Sequence, residues 1–243
     1  MFPQLIAGPI VRYRTIAGVA ANLTSLDVHA PAKACDAPVV IWVHGGGYQI
    51  GDKRNQMTDK IRLFNQKGWI LVSVNYRLTT PGKPGSAFFP DHYEDVAAAV
   101  AWIHGQIARY GGDPDRTALL GHSAGADIVS NVTAQPSYLA KHRLEPSDLT
   151  CTAPLDTAGF DKLAVPADGS ERQQWYQALG RDPKRMAATS ATRIVKAAGS
   201  RADVPSTLTV FRGNANRQRI EKGYATALRA AGTPTVLVDA TSL

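Results

Sequence analysis

"LLGHSAGADI", residues 119–128, carries Gly121-His122-Ser123-Ala124-Gly125 between two apolar stretches. To its left, RTALLGHS (116–123) reads as a strand, and to its right SAGADIVSNVTA (123–134) reads as a helix. A sharp turn between strand and helix pushes the serine oxygen out at the carboxyl edge of a sheet. The flanking glycines let neighbouring backbone approach closely enough for such a turn. The following helix aims its free N–H groups and positive dipole end at any oxyanion formed there. Ser123 is therefore the candidate nucleophile, and the context predicts an α/β fold.

Working outward, strand-like and helix-like stretches alternate, the pattern of a doubly wound, mostly parallel sheet of about eight strands. PVVIWVHGG (38–46) is nearly continuous in apolar residues, as a strand buried on both faces should be. RYRTIAG (12–18) and NLTSLDVHAP (22–31) read as an opening pair of strands, and WILVSVNYRL (69–78), LTCTAPLD (149–156), STLTVFRG (206–213) and TVLVDA (235–240) as further ones. TDKIRLFNQKG (58–68) is helical and stops at Gly68. Asp91 and Glu94 resemble a capping box for a helix ending near Gly111-Gly112. Residues 157–204 are mixed, with Trp175, Tyr176 and Leu179 suggesting short helices. They read as a small helical cap inserted into one domain spanning 1–243, with Trp175 or Tyr176 as candidates to line the pocket beneath it.

A second motif, His44-Gly45-Gly46-Gly47-Tyr48, directly follows the buried strand. Consecutive glycines leave backbone N–H groups unshielded, free to point at a developing negative oxygen. Donors fixed in this way are worth ~3 kcal/mol each in comparable hydrolases. Beside the N–H of Ala124, those of Gly46 and Gly47 would complete a three-donor pocket. A phosphate loop is disfavoured, because no lysine follows in Walker spacing and the glycine pattern is not the dinucleotide one.

The bulk composition adds exclusions. Apolar residues at 44% and charged residues at 19% describe an ordinary globular chain. No apolar run approaches ~18 residues, so no membrane span is expected. The net charge of +7 comes from residues 171–243, with 12 basic and 5 acidic side chains. Arginines such as Arg181, Arg193 and Arg229 are scattered along helices without interleaved aromatics, so no nucleic-acid partner is read from them. Cys35 and Cys151 lie far apart without metal-ligand spacing, and no histidine-carboxylate cluster is present. No metal and no cofactor are implied. The opening MFPQLIAGPIVRYR lacks the pattern of a secretory signal, which with the thiols points to a cytoplasmic location.

HGGGY, VSVNYRL, FPDHYEDVAAAVAWI, YGGDPDR and GHSAGA occur here in the order seen in α/β-hydrolase esterases. The chain resembles their hormone-sensitive-lipase-like branch and its bacterial carboxylesterase relatives, which include kynurenine-formamidase-like enzymes. The likeness is strong over residues 35–135 and looser elsewhere. It implies Ser123 as acylating nucleophile and Gly46, Gly47 and Ala124 as oxyanion donors. His44, Tyr76, Arg77 and Asp95 would be structural members of their loops. The implied reaction is cleavage of a small carboxylic ester, of short acyl chain, through an acyl-enzyme. Such relatives often dimerise, and nothing in this sequence marks an interface.

The family order is serine, acid, histidine, with the histidine past the last strand. The six histidines here are His29, His44, His92, His104, His122 and His142, and none lies there. The expectation is a C-terminal histidine loop outside the given chain. The usual acid position after the seventh strand is occupied by Asn216, in Gly213-Asn214-Ala215-Asn216. Asp156, at the carboxyl end of the sixth strand, is the preferred acid, ahead of Asp161 and Asn216. Two other readings stay open. One is an arylformamidase-like amidase using the same attack and donors. The other is a hydrolase-shaped binding protein without catalysis, for lack of a base.

Overall fold

Ala37–Val43 (β3) sits at the centre of the sheet because every second residue is apolar on each face. Val39, Ile41 and Val43 join the larger core, and Val40 and Trp42 face a smaller one. The computed structural model describes residues 6–16 and 18–242. Around β3 stand Ile6–Arg12 (β1), Ser25–Ala30 (β2), Ile70–Val74 (β4), Gly112–His122 (β5), Cys151–Leu155 (β6), Ser206–Phe211 (β7) and Thr235–Asp239 (β8). The eight strands run in the order β1-β2-β4-β3-β5-β6-β7-β8. The pairs β1/β2 and β2/β4 are antiparallel and the rest parallel, an α/β-hydrolase sheet.

The helices are Thr58–Gln66 (α1), Asp91–Gln106 (α2), Ala124–Ala134 (α3), Ser137–Ala140 (α4), Ser170–Leu179 (α5), Pro183–Ala188 (α6), Ala191–Ala198 (α7) and Ala215–Ala230 (α8). Helices α2, α3 and α8 bury Val96, Val100, Ile103, Ile128, Val129, Ile220 and Tyr224 in the larger core. On the opposite face α1 places Ile61 over Val40 and Leu71. Farther along that face Leu208, Val236 and Val238 are 41%, 57% and 39% exposed.

Two local expectations are corrected. The first strand ends at Arg12 instead of running through 12–18, because Tyr13 turns to donate its N–H to Thr24 O (3.2 Å) and its hydroxyl to Asn75 O (2.7 Å). Position 17 of that stretch lies outside the described residues. The start of α2 is not a capping box: Asp91 accepts from Phe88 N (3.2 Å) and pairs with Arg77 (3.1 Å).

The glycines of the elbow are required by close approach. A Cβ at Gly125 would lie 2.3 Å from Val43 O and 2.6 Å from His44 O, and one at Gly121 would lie 2.4 Å from Gly125 O. Gly125→Ala is expected to destabilise the fold by about 3 kcal/mol, since both obstacles are backbone. Gly105→Ala, in α2 with open space around it, should instead stabilise by up to about 1 kcal/mol. Urea unfolding of the two variants checks this; equal midpoints would contradict the packing argument.

Candidate active site

Ser123 follows β5 directly and precedes α3 with φ 55° and ψ −116°, a conformation in which an L-residue is strained by roughly 1–3 kcal/mol. The turn is held from both sides. Ser123 N donates to Leu155 O (3.0 Å) on β6, and Ser123 O accepts the first helical bond from Asp127 N (3.1 Å).

The HGGG loop lies against this turn. A Cβ on Gly45 would fall 3.0 Å from His122 O and 3.1 Å from the Ser123 Cβ. Gly46 and Gly47 have φ of 119° and 60°, which glycine adopts without penalty. The Gly46 carbonyl is used, accepting from Gln49 N (3.0 Å) and Ile50 N (3.1 Å). Among the described residues, the N–H groups of Gly46, Gly47 and Ala124 meet no protein acceptor.

Buried aromatic and charged groups fasten the loop. The His44 ring stacks on Tyr76 at 4.5 Å, its Nδ1 lies 2.7 Å from Gly45 O, and the Tyr76 hydroxyl donates to His44 O (3.0 Å). Burial lowers the His44 pKa, so the ring is held neutral. Arg77 grips Asp95 (2.7 Å) behind the loop. Tyr48 is buried and donates its hydroxyl to Asp127 on α3. That carboxylate also receives Tyr93 OH (3.0 Å), Asn131 Nδ2 (3.1 Å) and Lys162 Nζ (2.5 Å), with Asp127 and Lys162 wholly buried. Sequence reasoning did not single out Asp127. Its one signal was a carboxylate amid the small and apolar residues that open α3.

His92, in the first turn of α2, packs its ring edge against Tyr48 (5.2 Å) and Tyr76 (6.2 Å) and approaches Thr79 Oγ1 (3.0 Å). Burial pulls its pKa from 6.5 to about 3. As pH falls, the unfolded chain takes up this proton before the folded one does. Stability is therefore lost from pH 6.5 downward, at up to about 1.4 kcal/mol per pH unit, until pH nears 3. The urea midpoint should fall more steeply between pH 6.5 and 4.5 in the wild type than in His92→Gln. Parallel profiles would exclude His92 as the cause.

Asp156 directly follows β6 with φ 59°, next to the elbow, and its carboxylate is shared. His122 Nε2 lies 3.4 Å away, Arg217 2.8 Å and Arg212 3.7 Å. The His122 contact, then Arg217 and Arg212, hold its pKa below the usual carboxylate value. The other two acid candidates are placed elsewhere: Asp161 pairs with Arg193 (2.7 Å), while Asn216 accepts from Arg219 (2.8 Å) and reaches Ala164 O (3.4 Å). Trp175 is buried against Lys162 (5.7 Å) and does not border the groove at Ser123. That groove, of about 260 Å³, is lined by Ser123, His122, Gly45 and Gly46 together with Trp42, Gln56 and Lys60. Among the described residues no imidazole hydrogen-bonds to Ser123 Oγ.

The BD-FAE family model matches residues 26–148, just over half of the 243 residues. The chain belongs to the BD-FAE family. The matched span includes the HGGG loop, the elbow and Asp127. Similar curated proteins include the probable carboxylic ester hydrolase LipM of Mycobacterium tuberculosis, 38% identical over 101 residues, covering 42% of this chain and 22% of that protein. Esterase LipQ of the same organism is 42% identical over 94 residues, covering 39% of this chain and 21% of LipQ. The BD-FAE chain thus spans about a fifth of the length of these relatives in matched sequence. Among solved structures, the carboxylesterase EstE1 from a metagenomic library superposes with a TM-score of 0.76 at 22% identity, over 100% of this chain and 81% of that one. Esterase 2 of Thermogutta terrifontis, phosphonylated by sarin, gives 0.78 at 19% identity, over 99% and 86%. These two share its fold.

Proposed function

We propose that this protein hydrolyses carboxylic esters of short acyl chains through an acyl-enzyme on Ser123. The observation that supports the reading is the strained serine at the elbow, with the glycine loop packed against it and the N–H groups of Gly46, Gly47 and Ala124 left without a protein acceptor among the described residues. Ser123 Oγ gives its proton to a general base and bonds the carbonyl carbon, and the three amides would receive the negative oxygen that develops; the ester C–O bond then breaks and the alcohol leaves with that proton. Water next attacks the acyl carbon, breaking the Oγ–C bond and releasing the carboxylic acid as Ser123 regains its proton. Asp156 is the carboxylate that would orient a base, standing beside the elbow and held ionised. Residues 157–204 would roof the acyl side: a Cβ on Gly47 would lie 2.7 Å from Gln174, and Gln49 bonds Gln177 (2.6 Å).

A second reading, a hydrolase-shaped binding protein, draws support from the same carboxylate. Arg217 occupies Asp156, and Ser123 has no imidazole partner among the described residues. Labelling with a fluorophosphonate probe, read by intact mass, separates the two. A single adduct that disappears in Ser123→Ala supports the hydrolase. No adduct together with no turnover of p-nitrophenyl acetate leaves the binding protein.

A further inference from the structure

Among the described residues, Lys60 is the one lysine or arginine that lines the groove at Ser123. The lining includes Trp42 of β3 and Lys60 of α1, whose Nζ stands 4.7 Å from the centre of the Trp42 ring. The same Nζ donates to Gln56 O (2.8 Å), which fixes the ammonium over the aromatic face. Burial lowers the Lys60 pKa. The neighbouring Asp59 is committed to Arg62, and among the described residues no carboxylate borders the groove. His44, which also borders it, is neutral. The groove therefore joins Ser123 and the glycine loop to a partly buried lysine. Trp42 and Ile50, which is 70% exposed, add apolar lining.

We propose that Lys60 forms an anion subsite and that the preferred substrate is a mono-ester of a short dicarboxylic acid. The ester carbonyl sits on the Gly46, Gly47 and Ala124 amides, the methylenes lie along Trp42 and Ile50, and the free carboxylate meets Lys60 Nζ. A cavity of about 260 Å³ holds an acyl group of this size. The inference rests on the ester-hydrolase reading for its substrate and on geometry alone for its anion site.

The test compares monoethyl glutarate with ethyl butyrate by pH-stat, in the wild type, Lys60→Met and Lys60→Arg. The wild type should favour the anionic ester. The ratio of the two kcat/KM values should fall about tenfold in Lys60→Met, the worth of one charge-assisted contact, and be largely restored in Lys60→Arg. An unchanged ratio in Lys60→Met overturns the proposal. Calorimetric binding of glutarate provides a readout that needs no turnover. Glutarate binding in the wild type that is lost in Lys60→Met supports the subsite even where no ester is cleaved, a result that would remove the hydrolase reading alone. Equal glutarate affinity in both proteins removes the subsite alone.

Discussion

Ser123→Ala is expected to lower the turnover of p-nitrophenyl acetate by at least about 10⁴-fold while leaving the fold intact. In the proposed reaction the hydroxyl forms the covalent acyl intermediate, so its loss would not be offset by the amides. Alanine at φ 55° carries the same backbone strain as serine, so the thermal midpoint should move little. Ser123→Gly separates strain from chemistry. Glycine tolerates this φ, so that variant should be as inactive but more stable, by roughly 1 kcal/mol. A stable protein that loses activity in both variants fits a serine held under strain for reaction. Activity surviving in Ser123→Ala would remove the acyl-enzyme, and with it the proposed function.

Lys162→Met should be the most destabilising single change away from the elbow. Removing the ammonium leaves the Asp127 carboxylate wholly buried with only neutral donors, Tyr48, Tyr93 and Asn131. Breaking a buried pair from one side costs about 3–5 kcal/mol, which for a domain of this size lowers the thermal midpoint by roughly 10 °C. The Lys162 amine also donates to Gly159 O (3.3 Å) and to Thr189 O, so the segment after β6 should loosen with it. Adding Asp127→Asn removes the uncompensated charge, and the double variant should recover part of the loss. Because Tyr48 ties the glycine loop to Asp127, the single variant should also lower kcat at temperatures where it remains folded. A midpoint within 2 °C of the wild type by calorimetry would mean that the pair contributes little, as buried pairs sometimes do when water reaches them.

The reach of the sequence can be judged from these two sites. The elbow and the glycine loop were legible because both are local backbone devices. Gly121, Gly125 and the run from Gly45 to Gly47 dictate turns and close approaches within a few residues of themselves. The near-continuous apolar run of β3 marked the centre of a parallel sheet, for which burial on both faces is the cause. The start of α2 and the end of β1 were misjudged where contacts distant in the chain redirected the same side chains. Asp91 went to Arg77 and Tyr13 to Asn75.

The sequence alone thus determined the fold class and two backbone devices, the elbow from Gly121 to Gly125 and the run from Gly45 to Gly47, because short-range sterics decide where a chain can turn. Only the tertiary structure decided what surrounds them. It joined Asp127 to residues 48, 93 and 162, set Asp156 between His122 and Arg217, and brought Lys60 across Trp42 into the serine's groove. Those partners lie tens of residues apart, and the strength of a charge contact depends on burial and distance, which a linear order of residues does not contain.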